Sequence, residues 1–137
     1  MSPEEQVVRG VFEAFEQGPA SLIEAKRRLF DVHAVWWNSG RGELRGLQAI
    51  VDATPKLFEL TGAAYLRAED IRTLIVHDDS VIVERTDTLY RSDGSQVVSV
   101  PAFGIVRIKN GKVVEWRDYC DDWMRAFRPA GTPRGLT

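Results

Sequence analysis

The sequence predicts an α+β domain in which a curved, mixed or antiparallel β-sheet wraps as a cone around three to four helices of the N-terminal half. Two observations carry this. Before Gly62, apolar residues recur at helical spacing in three segments, with one short aromatic strand among them; after Gly62 the pattern becomes strand-like and is broken by hairpin turns. Helices and hairpins segregated in this way pack as α+β layers and not as a parallel sheet. A curved sheet closed by helices leaves a pocket between them, the usual form of a small-molecule site.

The first helix starts at Ser2-Pro3-Glu4-Glu5, where Ser2 caps, Pro3 suits the first turn and Glu5 closes a capping box. Val7, Val8, Val11, Phe12 and Phe15 form its apolar side, and Gly18-Pro19 ends it. Ser21 with Glu24 starts a second helix that runs to about Phe30. Ala34–Ser39 reads as a short strand, Gly40-Arg41-Gly42 as a turn, and Leu47–Leu60 as a third helix that Pro55 should kink or split. Strands follow at Tyr65–Val76, Val81–Arg91, Gln96–Lys109 and Val113–Asp121; Asn110-Gly111 between the last two is the strongest hairpin signal in the chain. A short helix is expected around Trp123–Phe127. Residues 1–127 form one domain, and the Pro/Gly-rich stretch 128–137 is a tail.

A chain of 137 residues has room for one core. A net charge of −2 leaves no electrostatic footprint for nucleic acid. No apolar run approaches the roughly 18 residues that span a membrane, and MSPEEQ lacks the features of a signal peptide. The single cysteine excludes an internal disulfide, so the expected compartment is the cytoplasm. His33 and His77 have no second ligand at metal spacing, so no metal and no cofactor are expected.

Alternation along two strands exposes the informative residues. One face of Val81–Leu89 carries Val81, Val83, Arg85, Asp87 and Leu89; one face of the last strand carries Val114, Trp116, Asp118 and Cys120. Each face is apolar except for charged groups at its centre. Charges in an apolar pocket are costly unless paired, and one guanidinium can hold two carboxylates. The pattern fits a buried ion pair that only closes the barrel. It fits equally a paired-carboxylate site in which one Asp stays neutral and the other ionised. In Val35-Trp36-Trp37-Asn38, Trp36 and Asn38 share a face; Asn38 reads either as a turn residue or as an amide that handles a water.

With Glu84-Arg85-Thr86-Asp87 and Trp116-Arg117-Asp118-Tyr119 in view, the chain resembles the limonene-1,2-epoxide hydrolase family, within the group that shares the fold of nuclear transport factor 2, ketosteroid isomerase and scytalone dehydratase. The resemblance covers most of the chain and is strongest over Val81–Asp121. It implies one-step hydrolysis of an epoxide to a vicinal diol without a covalent intermediate. Asp87 would be the general acid, Asp118 the general base, Arg85 the bridge between them, and Asn38 a holder of the attacking water. Where that family has a Tyr two residues before the Asn, this chain has Trp36, whose N–H donates but cannot accept.

Trp36, Val83, Leu89, Val100, Ala102, Trp116 and Cys120 are the expected pocket lining, with Ala102 small enough to offset the bulk of Trp36. The expected partners are a small or medium apolar epoxide and water. A related isomerase, an epoxide-opening cyclase with an internal hydroxyl as nucleophile, and a non-catalytic binder of apolar ligands are the alternatives. Ile82, Tyr90, Phe103, Ile105 and Tyr119 make the outer sheet face more apolar than a solvated sheet needs, which predicts a homodimer.

Overall fold

The computed structural model describes residues 1–120. Along the chain run α1 (Pro3–Glu16), α2 (Pro19–Leu29), β1 (Phe30–Asn38), β2 (Gly42–Arg45), α3 (Leu47–Thr61), β3 (Tyr65–His77), β4 (Ser80–Tyr90), β5 (Gln96–Lys109) and β6 (Lys112–Cys120). The six strands form one sheet in the order β2-β1-β6-β5-β4-β3. β1 lies parallel to β6, and every other pairing is antiparallel. This is the α+β architecture that the sequence predicts, with three helices packed on a curved, open mixed sheet. The expected helix at Trp123–Phe127 and the tail lie outside the described residues. Among the described residues, no helix is long and apolar enough to cross a membrane.

Ser2 caps α1 by accepting from the Glu5 backbone N–H at 3.1 Å. The reciprocal half of the capping box does not form, because the Glu5 carboxylate takes the Arg9 guanidinium at 2.8 Å instead. Gly18-Pro19 opens α2 rather than only closing α1: Pro19 occupies its first turn, where a missing N–H costs nothing, and Gly18 precedes it at φ 96°. The Ser21–Glu24 start is therefore not used.

Phe30 is the first residue of β1 and not the last of a helix. It turns extended at φ −106°, ψ 141°, so α2 runs straight into the strand. Its ring, 1% exposed, lies nearly parallel to Trp36 and Trp116, whose own centroids are 4.9 Å apart. This aromatic stack joins the two parallel strands at the centre of the core. β2, a four-residue strand, had no pattern of its own; it exists because Gly40-Arg41 fold it back against β1. α3 continues unbroken through Pro55, held by buried Ile50, Val51, Thr54 and Phe58.

Bulges bend the sheet. Three residues of β3, Asp70–Arg72, stand opposite Arg85 alone, with Asp70 at φ 47°. In β6 the register passes from Ile108↔Val113 to Arg107↔Glu115, which leaves Val114 as the extra residue. Val113 is consequently fully buried, and Val114, expected on the inner face, is only half-buried. Beyond the bulge Trp116, Asp118 and Cys120 keep the predicted alternation.

Candidate active site

β4 and β6 are separated by β5, and the strand registers set what can meet across it. Val83 pairs with Gly104, and Gly104 with Asp118; Arg85 pairs with Ala102, and Ala102 with Cys120. Arg85 is thus one step along β4 from the row that carries Asp118, and its side chain must cross β5 diagonally. Gly104 leaves the room. A Cβ there would lie 2.6 Å from Asp118 Oδ1 and 2.9 Å from Arg85 Nη1.

Across that gap the guanidinium holds both carboxylates. Nε and Nη2 donate to the two oxygens of Asp87 at 3.0 and 3.0 Å, while Nη1 and Nη2 donate to Asp118 Oδ1 and Oδ2 at 2.9 and 3.1 Å. The Arg85 side chain is 2% exposed, Asp118 9% and Asp87 20%. Behind the fork, the cation lies 5.4 Å from the Phe12 ring centroid. Burial opposes the charge of Arg85, but Asp118 and Asp87 outweigh it, and its pKa is raised. Burial dominates at Asp87 and pushes its carboxyl up; Arg85 pulls it down and Asp118 pushes it further up, with a net rise. Such an environment favours the protonated acid at Asp87.

The three groups open onto a cavity of about 580 Å³ between the sheet and the helices. Trp36, Asn38, Leu89, Val100, Ala102, Trp116 and Cys120 are among the residues that line it. Val83 does not: it is fully buried in the core cluster and belongs to the packing, because sharing the inward face of a strand does not place a residue at the cavity. Asn38 stands beside Asp118 in the parallel register of β1 and β6. The Trp36 indole N–H donates to Asn38 Oδ1 at 3.4 Å. The Ser39 backbone N–H donates to the Asp118 carbonyl at 2.9 Å, and the Ser39 hydroxyl exchanges two 2.9 Å bonds with the Cys120 backbone. Ser39 therefore fastens the end of β1 to β6 and sets Asn38 beside Asp118.

Two further residues carry signals that the alternation argument passed over. Gly104 is an isolated glycine within a long strand, the usual mark of a close approach. Lys26 stands four residues after Leu22, on the apolar side of α2, and is 6% exposed. Its Nζ donates to the Ile50 carbonyl at 3.1 Å and to Thr54 Oγ1 at 2.7 Å, and lies 5.2 Å over the Trp36 ring. Burial lowers its pKa to about 8. Among the described residues, no group of three His, Cys, Asp or Glu side chains is placed to hold a metal ion.

Gly104→Ala is expected to separate Arg85 from Asp118 and to destabilise the fold by about 1–3 kcal/mol, as overpacking does. Urea unfolding reads this directly, and an unchanged midpoint would show that the diagonal crossing does not depend on Gly104.

Comparison with known proteins agrees with this architecture. None of the functionally curated proteins matches the chain. Among solved structures, a protein described as a SnoaL-like polyketide cyclase from Jannaschia sp. CCS1 superposes with a TM-score of 0.73 at 16% identity, covering 96% of this chain and 94% of that one. Bal32a, from a soil-derived mobile gene cassette, gives 0.72 at 25% identity over 92% of this chain and 97% of its own. An LEH-like epoxide hydrolase of M. tuberculosis gives 0.66 at 21% identity over 87% and 83%. The model of the SnoaL-like domain matches residues 8–116, a span that contains both Asp87 and Arg85 and nearly all of the sheet, and the chain belongs to that family.

Proposed function

We propose that this site adds water to a small or medium apolar epoxide to give a vicinal diol. One observation carries the reading: a single buried guanidinium grips two carboxylates on a cavity wall while burial holds one of them, Asp87, toward its acid form. Two carboxyl groups in different protonation states are what an acid and a base acting in one step require.

The step begins with a water beside Asp118 and Asn38. Asp118 accepts one water proton, and the free lone pair of Asn38 Oδ1 accepts a hydrogen bond from the other hydrogen. The water oxygen keeps a lone pair for attack on one ring carbon. As the new C–O bond forms, the strained ring C–O bond breaks, and Asp87 gives its proton to the departing oxygen. Arg85 stays cationic throughout while charge passes from Asp118 to Asp87. Proton exchange with solvent restores the starting state.

Trp36 fits this scheme in a way that its sequence position did not reveal. Its N–H is spent on Asn38, so it does not compete for the lone pair of the water. It orients the amide instead of touching the nucleophile. A second reading replaces water with an internal hydroxyl of the substrate, as in an epoxide-opening cyclase. It draws on the same residue, since Trp36 offers water no acceptor.

Turnover of limonene oxide, cyclohexene oxide and styrene oxide in oxygen-18 water tests the reading. Labelled diol is expected from the wild type, with rates lower by about 10²- to 10⁴-fold in Asp87→Asn and Asp118→Asn. A cyclase would leave these substrates intact and close a hydroxylated epoxide without label. Labelled diol at an undiminished rate from either folded variant would remove the assigned role.

The outer sheet face is the proposed dimer surface. Phe103 and Tyr119 pair across β5 and β6 and are each 41% exposed. Gel filtration at micromolar concentration is expected to give twice the monomer mass, and elution as a monomer would exclude the dimer.

A further inference from the structure

The helical wall of the cavity holds a cation that the epoxide chemistry leaves unused. Lys26 has two neutral acceptors, the Ile50 carbonyl and Thr54 Oγ1. An ammonium carries three donors, so one N–H has no acceptor among the described residues. No ion pair among those residues includes Lys26. Burial lowers its pKa with no carboxylate to offset it, yet at about 8 the group still carries its charge at neutral pH.

The distribution of charge around the cavity isolates this group further. The exposed rim carries two cations, Arg41 and Lys56, and two carboxylates, Glu43 and Asp52, of which Glu43 pairs with Arg45 and Asp52 accepts from Gln48. Inside, Asp87 and Asp118 are both bonded to Arg85. Lys26 is the interior cation with no ion-pair partner among the described residues. A buried charge in this state is costly, and an anionic group placed against it removes that cost. Trp36, Phe15, Leu22 and Leu57 line the same cavity as Lys26 and the two carboxylates and suit an apolar body.

We propose that the cavity takes an amphiphilic carboxylate, with its apolar body along Trp36 and its carboxylate on the free N–H of Lys26. The proposal rests on the cavity being the substrate site of the reaction above, and it makes the substrate of that reaction an epoxy acid. Lys26 is then a specificity residue at the opposite pole from the reacting groups. Trp36, which touches both poles, ties them together: its ring lies under the Lys26 ammonium and its N–H holds Asn38.

Tryptophan fluorescence of the full chain, titrated at pH 7 with octanoate and with octanamide, provides the test. The two ligands share size and shape and differ in charge. Wild type is expected to bind octanoate at least about tenfold more tightly, because the carboxylate makes an ion pair with the ammonium where the amide makes only a charge–dipole contact. Lys26→Met is expected to lose the preference, since neither ligand then meets a cation at that pole, and to weaken octanoate binding more than octanamide binding. Equal affinities in wild type, no binding of either ligand, or a preference that survives in folded Lys26→Met would overturn the proposal. The wild-type pair decides the matter alone if the variant does not fold. Neither ligand has an epoxide ring, so the result is independent of turnover: diol formation without a preference for octanoate would keep the hydrolase and reject the carboxylate.

Discussion

The candidate site depends on placing one guanidinium, 2% exposed, between two carboxylates on the concave face of a sheet. Burying a cation of this size is unfavourable by several kcal/mol unless it is paired and hydrogen-bonded, and here four of its five N–H groups donate to two acids. The arrangement is also unequal. Both acids line the cavity, but Asp118 stands against Asn38 of β1, and burial pushes the Asp87 carboxyl up. An ion pair that merely closed a barrel would gain nothing from this inequality; a site that must give one proton and take another depends on it.

The scaffold can be read as the set of conditions for that contact. β5 must lie between β4 and β6, must carry a glycine where Arg85 crosses, and must hold its register over most of its length. β1 must run parallel to β6 so that Asn38 stands beside Asp118, and the stack of Phe30, Trp36 and Trp116 pins those two strands together. Aromatic pairs of this kind add about 0.5–1.5 kcal/mol each beyond the area they bury. Bulges at Asp70–Arg72 and Val114 supply the bend that turns a sheet into a cavity wall. α2 and α3 close the other side and bring Lys26 and Thr54 to it.

The sequence made legible what depends on local alternation. Arg85 and Asp87 lie two apart in a strand with no bulge between them, so their shared face is a period-two result. Asn110 and Gly111, at φ 53° and 76°, form the tight turn that their identities demand. What it did not disclose depends on partners far along the chain. Val113 and Val114 exchange roles because of a bulge defined by β5. Phe30 fits helical spacing as well as a strand, and the register with Val113 decides. Lys26 looks like one more cation on a helix until α3 buries it, and Val83 shares a face with Arg85 without reaching the cavity. Membership of the SnoaL-like family shows the fold, and at these identities the chemistry must be read from the residues themselves.

The proposed chemistry requires that burial keep Asp87 toward its acid form against the pull of Arg85. Isotope-edited infrared spectroscopy of the Asp carboxyl bands, with Asp87→Asn as the subtraction reference, measures this without any substrate. A protonated carboxyl band from Asp87 is expected to persist above the ordinary aspartate value of about 3.9 and to disappear as the pH rises through its raised pKa. An Asp87 that ionises at or below the ordinary value would mean that both acids are spent as salt-bridge partners, and the acid–base account would fail.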